Sequence, residues 1–334
     1  MDCYKNVVLD KNMYKIAGKS FSEILEEIDS SQSYAGEFSN LDAYQRQLKR
    51  FDIKVSDINA DCIEKFFRTA QTATLFPEYV HRAVKAGAAS VKILDDILAV
   101  KTQIDGVDYR TIYCDADAKQ PEQTTEGAEI PSVNVRLKEN LVKLTKAGQM
   151  LVASYESIRN QKIELFSIIL KQVGAKLAQQ QLKGAIETLL AGDGTIEPEI
   201  KNIESALEFE QLIDLWSSFD EYKMNTILVS PEMMRKLLSL QEILDAKSGF
   251  KFEINGEIAT LLGAKLIRSR FVPKDTIIAL DKRYALEMVS QGDIIVEHDK
   301  LIDKQLERAA ITSTFGFARI CKPAVKILKY DLKE

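Results

Sequence analysis

The stretch from Ser154 to Leu190 constrains this chain more than any other, because it reads as one very long helix. Ser154 is a suitable N-cap, Glu156 sits favourably in the first turn, and Gly192 and Gly194 stop the helix at its far end. At 1.5 Å per residue such a helix is about 55 Å long, far beyond the usual three turns. Tyr155, Phe166, Ile169, Leu170, Val173 and Leu177 fall on one side at helical spacing. Leu182, Ile186, Leu189 and Leu190 fall on roughly the opposite side. One short core cannot cover both faces, so the two ends are expected to pack against different layers, making the helix a spine. Phe166, Leu170, Val173, Leu177 and Ile186 are its expected packing residues.

Upstream, the periodicity changes from helical to alternating. "GVDYRTIYC" places Val107, Tyr109, Thr111 and Tyr113 on one side, and "SVNVRLK" places Val133, Val135 and Leu137 opposite Asn134, Arg136 and Lys138. Both are period-two strand patterns. Between them lies "DADAKQPEQTTEGAEIP", residues 115–131, polar and marked by two prolines. Connections of this length without structure are uncommon inside compact domains. Two readings stand: a surface loop, or an arm that becomes ordered on another subunit.

The rest of the chain mixes helix and strand. Residues 1–60 are polar, with short helical patterns in "SFSEILEEID" and "NLDAYQRQLKRF" that need support from elsewhere, the chain's own domain or a neighbour. "DCIEKFFRTAQTATLFPEYVHRAVKAGAAS" reads as a helix, a break at Pro77 and a second short helix. After the "AGDGTIEPE" loop, "ESALEFEQLIDLWSSF" is helical, "NTILVS" is a buried strand and "PEMMRKLLSLQ" is a helix opened by Pro231. "LLGAKLIRSRFVP", "DTIIALD", "ALEMVSQGDIIVEHD" and "RAAITSTFGFARICKPAVKILKY" read as strands. The fold class is α+β.

Charge and motifs exclude more than they assign. Lys and Arg number 45 against 50 Asp and Glu, a net charge of −5, so the broad positive field of a nucleic-acid binder is missing. The four cysteines, Cys3, Cys62, Cys114 and Cys321, lie far apart with no CxxC pair, which fits a reducing compartment. The start, "MDCYKNVVLDKNMYK", spaces its charges too closely for a signal-peptide core, and no run matches a membrane span. A soluble protein made in a cytoplasm is expected. "AGKS" lacks the glycine of a phosphate-binding loop, since Met13 stands in that place. "DADAKQPEQTTE" mimics a calcium loop but puts Lys119 among the ligands and Gln120 at the turn glycine. His81 and His298 have no metal-ligand spacing, and Trp216 and the Met233–Met234 pair read as core. No catalytic, cofactor-binding or metal residue is assigned, and no enzyme activity is expected.

The order of these elements resembles the major capsid proteins of tailed bacteriophages, the Hong Kong 97-type fold. The resemblance is carried by "EGAEIP" (126–131), "LVKLTKAGQMLVASYESIR" (141–159), "LLGAKLIRSRFVPKDTIIALDKRYALEMVSQGDIIVEHDK" (261–300) and "RAAITSTFGFARICKPAVKIL" (308–328). "NLDAYQRQLKRFDIKVS" and "EKFFRTAQTATLFPEYVHRAV" are similar to capsid proteins of clostridial-type prophages. The resemblance implies an N-terminal arm over 1–60, the start of a peripheral domain over 61–97 and an extended E-loop hairpin over 98–146. It further implies the peripheral domain with its spine helix over 147–204, an axial domain over 205–286, peripheral strands over 287–316 and a return to the axial domain over 317–334. Lys119, Glu126, Gly127, Glu129 and Pro131, at the hairpin tip, are then expected to contact a neighbouring subunit.

By the same resemblance the chain is a structural subunit of an icosahedral phage or prophage head, assembled in a bacterial cytoplasm and carried in the virion. Copies of the chain are expected to form hexamers and pentamers, with a separate scaffolding protein, a portal and enclosed double-stranded DNA held without sequence preference. No membrane partner is expected. The scaffold is expected to be separate because the polar N-terminal segment is short for a scaffolding domain. Cross-linking by a lysine–asparagine bond is not carried over, since nothing identifies partners for Lys119 or Lys138. The rival within the fold is an encapsulin-like nanocompartment or gene-transfer-particle shell. The rival outside it is a small-molecule enzyme, which would need convergent ionisable groups in a pocket.

Overall fold

In a computed structural model, residues 3–16, 18–56, 59–114, 135–244 and 260–330 are described. The helices in chain order are α1 Phe21–Ile28, α2 Ala43–Arg50, α3 Ala70–Ala89, α4 Tyr155–Arg159, α5 Ile163–Ala191, α6 Phe209–Ser217, α7 Pro231–Leu238 and α8 Gln241–Leu244. The strands are β1 Val100–Ile104, β2 Ile112–Cys114, β3 Val135–Leu137, β4 Thr145–Ser154, β5 Glu199–Ile203, β6 Thr226–Val229, β7 Lys265–Arg268, β8 Thr276–Leu280, β9 Leu286–Leu301, β10 Leu306–Arg319 and β11 Val325–Tyr330.

Residues 1–91, 147–178 and 294–313 form a first unit. Its first three helices each open on a capping box: Ser20 with Glu23, Asp42 with Gln45, and Thr69 with Thr72. The segment expected as a polar arm lies inside this unit's core. Val7, Phe21, Leu25, Tyr44, Leu48 and Phe66 are buried together with Leu75 and Val84 of α3 and with Leu170, Val173 and Leu177 of α5. Two buried charges complete it: Arg46 donates from Nε to Asp29 Oδ2 at 2.7 Å, and its guanidinium lies 4.4 Å over the Tyr34 ring. The helices α3 and α5 touch backbone to backbone. A Cβ on Gly87 would stand 2.1 Å from Lys171 O, and one on Gly174 would stand 1.9 Å from Val84 O, so only glycine fits either position.

Two expectations about these helices need correction. Helix α3 runs through Pro77 without a break. The long helix, expected from Ser154, starts as the short α4, capped by Ser154 Oγ on the Ser157 amide, and resumes as α5. The interruption is tertiary in origin. Ile63 donates its amide to Gln161 O at 3.0 Å, Ile163 donates its amide to Asp61 O at 2.9 Å, and Lys162 Nζ donates to Ala60 O at 2.7 Å. These bonds accompany the break in the helix at residues 160–162.

Residues 92–146, 179–293 and 314–334 form the second unit. A five-stranded sheet has the order β5-β11-β8-β6-β7, with β11 antiparallel to β8 and parallel to β5, and β6 antiparallel to β8 and parallel to β7. The strands β6 and β8 are buried at every residue, which explains their unbroken apolar sequences. Leu212, Leu215, Met233 and Leu237 form one core with Ile227, Ile277 and Tyr330 of the sheet. Ser230 caps α7 by accepting from the Met233 amide, and Pro231 occupies the first turn. Trp216, expected in the core, is 49% exposed on α6. A second sheet has the order β1-β9-β10-β4, with β1 parallel to β9 from Val100↔Glu287 to Ile104↔Gln291.

Candidate assembly surface

The hairpin of β2 and β3 presents an exposed apolar surface. The two strands pair antiparallel with Ile112 opposite Leu137 and Cys114 opposite Val135. Residues directly opposite one another share a face, and so do positions two apart, so Ile112, Val135 and Leu137 lie together. All three are open to solvent, at 58%, 60% and 62%. Of the segment "SVNVRLK", residues 132–134 lie outside the described residues, Val135, Arg136 and Leu137 are all exposed, and Lys138 is 2% exposed.

Lys138 is buried because it has fixed partners. Its Nζ lies 2.6 Å from Asp193 Oδ2 and also donates to Arg319 O. Asp193 sits between Gly192 and Gly194, whose φ values of +80° and +84° turn the chain sharply at the end of α5. That turn lets its carboxylate accept from the amides of Thr195, Ile196 and Arg319 at 3.0, 2.8 and 2.8 Å. Burial by itself would raise the Asp193 carboxyl, but the Lys138 ammonium and the Ile196 and Arg319 amides outweigh it and hold the carboxyl below its usual range. Arg319 is fully buried beside them, and burial lowers the pKa of its guanidinium.

A second buried anchor lies on the other strand of the root. Glu287 of β9 accepts from Thr102 Oγ1 at 2.5 Å, from the Tyr109 hydroxyl at 2.8 Å and from Thr111 Oγ1. The backbone closes around these side chains, with the Lys138 amide on Thr111 O at 2.9 Å and the Val142 amide on Tyr109 O at 2.8 Å. The root of the hairpin is therefore held by two enclosed polar clusters, while its apolar face has no cover among the described residues. A lysine enclosed in an ion pair is also unsuited to forming a covalent link to another subunit.

The hairpin-tip residues Lys119, Glu126, Gly127, Glu129 and Pro131 lie outside the described residues. On the spine, Leu170, Val173 and Leu177 are buried in the first unit's core, and Phe166 packs partly buried against it. Ile186 is fully buried among the residues of the second unit. Ile169 departs from its expected face and is 46% exposed, next to exposed Leu165 and Ile168. The side chain of Tyr155 lies outside the described ones. Asp193, Arg319, Glu287 and Ile112 were not singled out in the sequence. The one signal for them was an aspartate between two glycines at a helix end, and a single glutamate within the apolar "ALEMV".

The architecture is that of the Hong Kong 97-type capsid fold. Residues 138–309, more than half of the chain, match the family described as phage capsid protein. Among solved structures, the virus-like particle from Pyrococcus furiosus is 14% identical with a TM-score of 0.51, covering 75% of this chain and 98% of that one. The capsid of a native GTA particle is 15% identical with a TM-score of 0.53, covering 73% and 90%. The capsid of the cyanophage P-SCSP1u is 12% identical with a TM-score of 0.54, covering 72% and 88%. No curated protein matches the chain. At these identities the structures establish the fold, and the family match establishes membership: the chain belongs to the phage capsid protein family. It is a structural protein, a major capsid subunit of the virus particle that assembles into a shell.

Proposed function

We propose that the chain forms the pentamers and hexamers of a phage or prophage head around double-stranded DNA, and that it carries no enzymatic activity. The hairpin, corresponding to the E-loop over 98–146, lies on the neighbouring subunit, and the sheet of β5, β6, β7, β8 and β11 belongs to the axial domain. A separate scaffolding protein and a portal complete the assembly. The observation that carries this reading is the face of Ile112, Val135 and Leu137, uncovered among the described residues, on a root fixed by Lys138–Asp193 and by Glu287. An apolar face on a rigid stem gains stability only by burying surface on another molecule.

Replacing Val135 and Leu137 together by Asp tests this. Both side chains are exposed in the single chain, so the subunit is expected to stay soluble with its melting temperature unchanged. Shells and capsomer rings, seen by negative-stain microscopy and light scattering, are expected to be lost. Normal shells from this variant would remove the hairpin from the interface. The contents of wild-type particles, a complete phage genome, mixed host fragments or a cargo enzyme, separate the head from a gene-transfer particle or a nanocompartment.

A further inference from the structure

Pro77 stands in the eighth position of α3, where it has no N–H to give the Ala73 carbonyl and its ring crowds that carbonyl. At this point a side chain from outside the helix is built into the ladder. The Tyr14 hydroxyl donates to Thr74 O at 2.7 Å and accepts from the Glu78 amide at 3.1 Å. It thus stands between the two backbone groups that a regular helix pairs directly. The Tyr44 hydroxyl donates to the next carbonyl, Leu75 O, at 3.1 Å.

Side chains of the N-terminal segment converge on the same turns. Ser22 Oγ donates to Glu78 Oε1 at 2.6 Å, and Arg82 Nη1 donates to Asp42 Oδ2 at 2.6 Å, with its guanidinium 4.4 Å over the Tyr44 ring. Tyr14 differs from Tyr44 in its position. Tyr44 is 3% exposed, whereas Tyr14 is 38% exposed and its ring stacks on Phe21 at 4.4 Å. Tyr14 therefore reaches its hydroxyl into the helix from the surface.

We propose that the Tyr14 hydroxyl is the bolt of a hinge in α3 at Pro77. Seated, it bridges the interrupted ladder and holds the N-terminal segment on the helix. Withdrawn, it frees the helix to bend and the segment to move, together. A shell subunit placed at both fivefold and sixfold positions has to take more than one shape with one sequence, and this hinge supplies the change. That use rests on the pentamer and hexamer reading; the coupling between Tyr14 and Pro77 does not.

The test is a four-member set on the dissociated full-length subunit: wild type, Tyr14→Phe, Pro77→Ala and the double variant. Tyr14→Phe keeps the ring on Phe21 and removes only the hydroxyl. Hydrogen exchange of the Glu78 amide is expected to open about five- to tenfold more often in Tyr14→Phe, the size of one lost hydrogen bond. Exchange in residues 3–16 is expected to rise with it. In the Pro77→Ala background the ladder closes by its own bonds, and the same substitution is expected to change Glu78 exchange by less than about twofold. Equal effects in both backgrounds would make the bond an ordinary structural one and overturn the hinge, as would no effect in either. If Tyr14→Phe alone does not fold, recovery of folding in the double variant supports the proposal and its absence overturns it. Because every readout is on the dissociated subunit, failure of the pentamer and hexamer reading leaves these results standing.

Discussion

At the scale of single residues, the second unit is organised around buried carboxylates whose partners are backbone amides and cations. Asp281 is fully buried and accepts from the Lys223 amide at 3.0 Å, Asn225 Nδ2 at 2.7 Å and Arg283 Nη2 at 2.7 Å. Burial opposes its ionisation, yet the Arg283 guanidinium and these amides prevail and lower its pKa to about 2. Asp193 is lowered in the same direction. A carboxyl whose folded pKa lies below its unfolded value of about 3.9 contributes its stability fully above that value. The contribution fades as pH falls from about 4 through about 2, because the unfolded state takes up protons first. The melting temperature is therefore expected to fall steeply across that window. For Asp281→Ala the deficit against wild type is expected to be largest near neutrality and to shrink toward pH 2. A deficit that stays constant from pH 6 to pH 2 would show that Asp281 acts through packing alone. Asp281 did not announce its role in the sequence, since an aspartate before a basic residue is ordinary surface composition until the fold encloses it.

At the scale of elements, the spine helix shows how one sequence pattern serves two environments. Leu170, Val173 and Leu177 face one way and are buried, and Leu182, Ile186 and Leu189 face the other and are buried too. The change of face falls between residues 177 and 182, where the chain passes from the first unit to the second. Replacing Val173 or Leu177 by Asp places an unpaired charge in the first unit's core at a cost of several kcal/mol. Insoluble or unfolded protein is the expected result, read by solubility and circular dichroism. Wild-type solubility and melting temperature in both variants would mean that this face does not carry the core. The switch of face was legible because helical periodicity is local. The interruption at residues 160–162 was not, because it depends on bonds to residues 60–63, a hundred positions away in the chain. The uninterrupted course of α3 past Pro77 was hidden for the same reason, since Tyr14 and Tyr44 meet that helix only in the folded chain.

At the scale of the whole molecule, charge bears on what the shell encloses. With 45 basic and 50 acidic residues the chain has few cations free to displace counterions from phosphates. The dissociated subunit is expected to bind duplex DNA without sequence preference and no tighter than the ~10⁻⁴–10⁻⁶ M of non-specific contact. Nanomolar, salt-sensitive binding in a gel-shift titration would contradict this and make DNA contact central to the protein. The sequence by itself determined the α+β class, the order of hairpin, spine and sheets, and the two faces of the long helix, because each follows from local periodicity and end signals. Only the tertiary structure decided that Lys138 is enclosed while its neighbours on the strand stay exposed, because its burial depends on finding Asp193 across 55 positions. It also decided that the polar N-terminal residues belong to a core. Tyr44, Arg46 and Gln47 are buried there, and their polar groups tolerate burial only because the fold supplies a partner for each.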